Sequence, residues 1–346
     1  MKTKIYHIAE NYDYKYGGVN QVVKSLIKNV KLYDHEIINI KSKRLSIKQI
    51  IKIYSFRNEK IILHIHGVWN PAFIMVATMC LFLNISFTMS SHGMLKEITW
   101  KQKGFFSFLL KYIYWNFFAY HFLKKAKKIH AVEKLEFKNI KNYFKNNKII
   151  TIYHLYDFDN KIERFKIKKN FIFLGRIASH KGIDILINSF SKIKDLKNFQ
   201  LLIYGPVFDK NYFKKLQNLI YKKRLEKIVF FRKPIQGKFK KDMLSSAWAF
   251  LNASKAEALG LTNFDAAKFC LPIIASNNCG LGELKNNGGI TINPTILNFK
   301  NAINETSKWS LKKRINNGKK INLFFKKKFS KKIAVEKWNR FYEINK

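Results

Sequence analysis

NFIFLGRIASHKGIDILINSF, residues 170–190, decides how this chain folds. Its first part, ending at Arg176, is a run of apolar residues suited to a strand buried on both faces. A glycine-bearing loop follows, and from Ile183 to Phe190 the apolar residues recur at helical spacing. Strand, loop and helix in that order is the unit of a parallel sheet, because parallel partners need a crossover between them. Two cations flank the turn: Arg176 at the end of the strand and Lys181 at the mouth of the helix. At the carboxyl end of a sheet, beside a helix N-terminus, they are suited to clamp a diphosphate. Lys181 also reads as a solvated charge in so lysine-rich a chain, whereas Arg176 belongs to a scarce residue type.

The same unit recurs on both sides. KIYHIA (4–9) reads as a strand, followed by helical spacing of Val19, Val22, Val23, Leu26, Ile27 and Val30. IILHIH (61–66), ISFTMSS (85–91), FQLLIYG (199–205), KIVFFR (227–232) and WAFLNAS (248–254) read as further strands with helices between them. The alternation predicts parallel α/β sheets with helices on both faces, and 346 residues suit two such domains. A polar run, YDFDNKIERFKIKK, marks the break, giving domains 1–160 and 161–328 with a final helix at 329–346. The longest apolar run, Ala72 to Met89, is split by Asn84 and Ser86. It reads as a helix to Leu83 and a strand to Met89, not as a membrane span.

The formal charge is +44, and arginine supplies only eight of the 66 basic residues. Lysine together with abundant Asn, Ile and Phe resembles drift towards AT-rich codons, so part of the charge carries no message. The rest suits phosphate-bearing substrates and an anionic membrane surface. A basic nucleic-acid-binding protein is the rival reading, but no recognisable nucleic-acid module is present and the charge is spread throughout. Cys80, Cys270 and Cys279 fit neither a zinc site nor a disulfide framework, which predicts reduced thiols in the cytoplasm. The opening residues lack the apolar core of a signal peptide.

Ligands of parallel sheets bind where strands end. After the first strand, Gly17-Gly18 opens a helix and allows close approach of an anion, although a plain tight turn explains the pair equally well. In NASKAEALGLTNFDAAKFCLPIIAS (252–276), Glu257 lies in a loop before Leu259-Gly260-Leu261-Thr262. Asp265 is expected in the first turn of the next helix. The loop amides suit an anion and the two carboxylates suit sugar hydroxyls; a Thr262-x-x-Asp265 capping box is the bland alternative. HIHGVWNP (64–71) and SSHGML (90–95) offer His66, Trp69 and His92 near strand ends, with His64 as a packed strand residue. Asp157-Phe158-Asp159 matches a metal-holding D-x-D pattern without supporting residues, and no metal is expected there.

These loops, in this order, resemble the retaining group 1 glycosyltransferases of the GT-B fold, densely over 171–294. The resemblance implies an α/β protein of two Rossmann-like parallel-sheet domains facing a cleft, the first on the acceptor side and the second binding nucleotide sugar. The tail FSKKIAVEKWNRFYEI (329–344) corresponds to a helix crossing back to the first domain. In the family, the counterparts of Gly17 and Gly18 lie against the diphosphate, and those of Arg176 and Lys181 neutralise it. Glu257 and Asp265 match the E-x7-E element, whose first acid contacts the transferred sugar and whose second holds the ribose. His92 matches a histidine near the reacting sugar. Departures are Asp265 for glutamate, Ala258-Leu259 for Gly-Phe, Cys270 for a helix-ending glycine, and His154-Leu155 for the hinge Asn-Gly.

The implied activity is retaining, metal-independent transfer of a sugar from a nucleotide diphosphate to a glycan or lipid-linked glycan, in bacterial-type surface polysaccharide synthesis such as lipopolysaccharide or capsule. Glu257 and His92 are the expected catalytic residues, with Leu259 to Thr262 among the donor contacts and His66 and Trp69 on the acceptor side. A catalytically inactive member of the fold is a further alternative. KQKGFFSFLLKYIYWNFFAYHFLKKAKK (101–128), apolar in its middle and basic at its ends, is expected to bind the inner face of the cell membrane peripherally; a helix packed inside the first domain is the alternative.

Overall fold

The computed structural model describes residues 2–12, 18–96, 100, 104–145, 147–158, 166–194, 196 and 198–343. It divides into two compact units, Met1–Tyr156 with Phe329–Lys346, and Asp157–Lys328. The division falls just before the sequence-based boundary at 160, and the tail joins the first unit.

The first unit holds β1 (Lys4–Glu10), α1 (Gly18–Asn29), β2 (Asp34–Ile40), α2 (Ile47–Ser55), β3 (Ile61–His66) and α3 (Pro71–Phe82). It continues with β4 (Phe87–Ser90), α4 (Phe105–Tyr114), β5 (Lys128–Ala131), α5 (Lys134–Tyr143) and β6 (Ile149–Thr151). Its strands lie in the order β2-β1-β3-β4-β5-β6, all parallel. Every residue of β3 is buried, as its unbroken run requires. Local chemistry starts the helices: Ser46 and Gln49 close a capping box on α2, and Asn70 caps α3 with Pro71 in its first turn. Ile8, Leu63, Ile65, Met89 and Ile129 form the centre of the core.

The second unit holds β7 (Asn170–Leu174), α6 (Ile183–Ser191), β8 (Gln200–Tyr204), α7 (Lys210–Lys222), β9 (Val229–Arg232) and α8 (Gly237–Ser246). Then come β10 (Ala249–Asn252), α9 (Leu261–Lys268), β11 (Ile273–Ser276), β12 (Ile290–Ile292), α10 (Ile296–Ser307) and α11 (Leu311–Lys328). The strand order is β12-β11-β10-β7-β8-β9, again all parallel. Phe171, Ile187, Ile203, Leu251 and Phe299 form its core.

The last helix, α12 (Lys331–Tyr342), packs in the first unit. Its Trp338 and Phe341 lie against His64 and His130, and the Tyr342 hydroxyl bonds the His64 ring at 2.7 Å. Lys128 donates to the carbonyls of Arg340 and Glu343, satisfying two groups that the helix end leaves open. Two expectations shift here. Arg176 lies two residues beyond β7 rather than at its end. The strands β2, β5, β6, β11 and β12 escaped the sequence reading, being polar at an edge or only three or four residues long.

Candidate active site

In the second sheet the strand order turns back between β7 and β10. Helices leaving two such neighbours diverge, and a crevice opens where the strands end. Loops far apart in sequence therefore meet there. The loop after β7 carries Arg176 and Lys181, and the loop after β10 carries Ser254 and Glu257. Contact between them is close: Gly182 has φ +65, and a Cβ on it would lie 2.1 Å from the carbonyl oxygen of Ala253. The Lys255 amide donates to the His180 carbonyl at 2.8 Å, tying the loops together.

Lys181 Nζ stands 2.6 Å from Glu257 Oε2, with both side chains largely buried. The Ser254 hydroxyl reaches the same oxygen at 3.0 Å, sharing its one proton with Asn252 Oδ1 at 2.6 Å. Burial pushes the Glu257 carboxyl up, but the Lys181 charge, with hydrogen bonds from Lys181 and Ser254, holds it below the ordinary carboxylate range. Glu257 is thus an ionised carboxylate in a shielded place, not the solvated loop residue its setting in the sequence also allowed. His180 is pushed down to about 4, first by burial and then by the charges of Lys181 and Arg176, and is neutral at physiological pH. The Arg176 guanidinium lies over the Phe208 ring, 4.8 Å from its centre. Such stacking holds a planar cation while leaving its edge for an anion.

Leu259 and Gly260 both have positive φ, +64 and +61, which turns the chain sharply into α9. A Cβ on Gly260 would lie 2.9 Å from Glu257 Cδ, so glycine makes room for the carboxylate. Among the described residues no side chain caps α9, whose amides at Leu261 and Thr262 open a helix N-terminus suited to an anion. Asp265 corrects an expectation: it sits in the second turn of α9, not the first, and forms no capping box. It is buried, with Oδ2 2.5 Å from Lys240 Nζ of α8. The buried amides Asn252 and Asn263, which the sequence reading passed over, brace this loop. Asn252 donates to Asn263 Oδ1 at 3.2 Å, and Asn263 to the Leu259 carbonyl at 2.6 Å. Asn252 and Ser254 carried a faint signal, being polar residues at the end of an apolar strand; Asn263, inside α9, carried none.

In the first unit, Gly17 lies outside the described residues, and Gly18 opens α1. His66 is not available on an acceptor side: it is buried, with Nε2 2.9 Å from His7 Nδ1 and Nδ1 2.9 Å from His92 Nε2. Trp69 is also committed inwardly, donating to the Met94 carbonyl at 3.1 Å and packing on Trp100 and Trp115. His92 sits just beyond β4 in the left-handed region, φ +49. Asp159 of the D-x-D pattern lies outside the described residues.

His7, His64 and His66 bring ring nitrogens within 4.8 Å of one another, the spacing of a candidate metal group. Their bonding argues otherwise. Two nitrogens on one tetrahedral zinc stand about 3.3 Å apart, whereas His7 and His66 meet at 2.9 Å, and both His64 nitrogens are taken by Tyr342 and Ser90.

Two six-stranded parallel sheets, the turned-back order of the second and a C-terminal helix packed in the first unit define the GT-B fold. Residues 157–321, which make up most of the second unit, match the family model "Glycosyl transferases group 1". A curated relative, an uncharacterized glycosyltransferase of Methanocaldococcus jannaschii, is 29% identical over 117 residues. That alignment spans 34% of this chain and only 29% of the relative's length. Among solved structures, Anabaena HepE in complex with UDP and glucose is 14% identical, with TM-score 0.74 over 98% of this chain and 99% of that one. Sucrose-phosphate synthase from Thermosynechococcus elongatus is 14% identical, with TM-score 0.75 over 98% of both chains. A point mutant of S. aureus TarM, in complex with fondaparinux, α-GlcNAc-glycerol and UDP, is 18% identical, with TM-score 0.65 over 84% of this chain and 58% of that one. At these identities the likeness to the solved structures is one of fold.

Proposed function

We propose that this protein transfers a sugar from a nucleotide diphosphate to a glycan or lipid-linked glycan with retention of anomeric configuration, without a divalent metal, at a membrane surface. The observation that carries the reading is the buried Lys181–Glu257 pair beside Arg176 and the uncapped end of α9. UDP or UDP-glucose in the HepE complexes makes a uridine diphosphate sugar the first donor to try.

As the bond from the anomeric carbon to the diphosphate breaks, negative charge grows on the leaving phosphate. Arg176, Lys181 and the α9 amides stabilise it where it develops, which lowers the barrier rather than merely tightening binding. Glu257 stays ionised, positions the sugar and offsets positive charge on the oxocarbenium-like ring. The acceptor hydroxyl joins the same face of the anomeric carbon and passes its proton to the leaving phosphate, so no protein base is required. Asp265 reaches the ribose only by sharing the carboxylate that Lys240 also holds. The supply of an export-bound polysaccharide such as lipopolysaccharide or capsule suits an acceptor on a lipid.

The test is turnover with a panel of nucleotide sugars and lipid-linked acceptors, with and without EDTA, with the product's anomeric configuration read by NMR. Expected is one preferred donor, a retained anomer and unchanged rate in EDTA. An inverted product, or activity lost in EDTA and restored by magnesium or manganese, overturns the respective part.

A further inference from the structure

Six of the nine histidines lie on or beside one face of the first sheet, and five of them are buried or nearly so. The strand register places them together: His7 is directly opposite His64, and Ser90 lies between His66 and His130. They form two separate hydrogen-bonded chains. In the first, His35 Nε2 is 2.6 Å from the Val30 carbonyl, His35 Nδ1 2.9 Å from His7 Nε2, His7 Nδ1 2.9 Å from His66 Nε2, and His66 Nδ1 2.9 Å from His92 Nε2.

A carbonyl oxygen only accepts, so His35 must donate from Nε2. A neutral imidazole has one N–H, so His35 Nδ1 is then bare and must accept. The same choice passes to His7, to His66 and finally to His92. The reverse direction would set two lone pairs against each other at Val30. Neutrality is the state burial favours, since an isolated buried charge is costly; His7 is pushed down to about 3 by burial and the neighbouring His35. The second chain leaves no competing partner. His130 donates to the Ile152 carbonyl at 2.8 Å and accepts from Ser90 at 2.9 Å; Ser90 accepts from His64 at 2.8 Å, and His64 from Tyr342.

The backbone of His92 is pinned as well. Buried Glu136 receives the Ser91 hydroxyl at 2.6 Å and the Gly93 amide on either side of it, and the Val132 amide at 2.6 Å. A left-handed non-glycine residue persists where its surroundings over-determine it. Among the described residues nothing bonds His92 Nδ1.

We infer that the Val30 carbonyl sets one hydrogen-bond direction through His35, His7 and His66, so that His92 is held as its Nε2–H tautomer and meets its ligand through Nδ1 as an acceptor, the ligand being a hydroxyl of a sugar or glycan. The identity of that ligand rests on the proposed transferase function; the tautomer does not. His35, His7 and His66 are positioning residues that act through His92.

The experiment is nitrogen-15 NMR of the full chain labelled at histidine, assigned by single substitutions. Expected are six rings with the proton on Nε2 and a bare Nδ1: His35, His7, His66 and His92 of the first chain, and His64 and His130 of the second. In His7→Gln, the His92 signals should become a mixture of tautomers. The kcat of that variant should fall by about 10–100-fold, by analogy with the loss of a partner that orients a metal-bound histidine, with donor Kd changed less than about twofold. A wild-type His92 protonated on Nδ1, or exchanging between tautomers, overturns the assignment. So does a folded His7→Gln protein in which both the His92 signals and kcat are unaltered. The spectrum needs no turnover: a chain that locks His92 but transfers no sugar refutes the functional reading alone.

Discussion

Lys181 and Glu257 each need the other before any substrate arrives. Lys181→Ala leaves a shielded carboxylate without its cation, and its pKa must rise. The acid limb of the kcat/KM profile is therefore expected to move to higher pH, while kcat falls by about 3 kcal/mol of lost transition-state stabilisation. Glu257→Gln should nearly abolish turnover, and the double variant should be no worse than about the poorer single one, as residues acting as a unit are not additive. Steady-state kinetics checks this; unchanged turnover in both folded single variants would sink the site. Cys270 is a different case. It has φ +50 at the position where the family ends its helix with glycine, and its carbonyl packs against Gly318. The left-handed backbone costs a side-chain-bearing residue about 1–2 kcal/mol, which offsets the entropy a glycine adds to the unfolded chain. Cys270→Gly should change stability by less than about 1 kcal/mol in urea melts, and Cys270→Val, β-branched in that region, should destabilise clearly.

At the scale of the element, the polar face of the first sheet makes folding sensitive to acid. An unfolded histidine takes a proton near its ordinary 6.5, whereas burial keeps His7 neutral to about 3 and His130 to about 4, and holds His64, His66 and His92 well down. Below 6.5 the unfolded chain binds more protons than the folded one, so stability, fully present above that pH, falls as pH falls. Each buried histidine contributes up to about 1.4 kcal/mol per pH unit. A few of them suffice against a total stability of roughly 5–15 kcal/mol. The first unit should unfold between about pH 6 and pH 4, well before carboxylate titration is complete, as followed by near-ultraviolet circular dichroism. Retention of native signal through that range would show that the histidines charge without opening the sheet.

At the scale of the whole molecule, one stretch, 105–123, sets much exposed aromatic surface beside lysines. Phe105 and Phe106 are 80% and 72% exposed, with Phe117 and Phe118 further along, while Trp115, Ala119 and Leu123 anchor the other side in the core. The sequence offered a membrane-surface helix or a packed one; the structure shows a helix anchored on one side and bare on the other. No helix among the described residues is long and apolar enough to cross a membrane. Exposed aromatics flanked by lysines suit an interfacial position, each lysine adding roughly 1 kcal/mol near an anionic surface. Co-sedimentation with anionic liposomes is expected, weakened by salt and by neutral lipid, and abolished by Phe105→Ser with Phe106→Ser. Binding indifferent to lipid charge and salt removes the electrostatic part; no binding by a folded protein removes the surface role.

Apolar runs and their spacing announced the parallel strands and helices, because the period of burial is written in the chain itself. Glycine and charge after the strands at 170–174 and 249–252 marked the loops that matter, since ligands of such sheets gather where strands end. That much the sequence determined alone. It could not show that Lys181 meets Glu257, 76 residues away, for that follows from β7 and β10 pairing where the sheet turns back. Nor could it distinguish His66, sealed between two histidines, from His92 at the end of their chain. Both are polar residues near strand ends. Only strand register decides which ring nitrogens face one another, and one backbone carbonyl decides which of them carry protons.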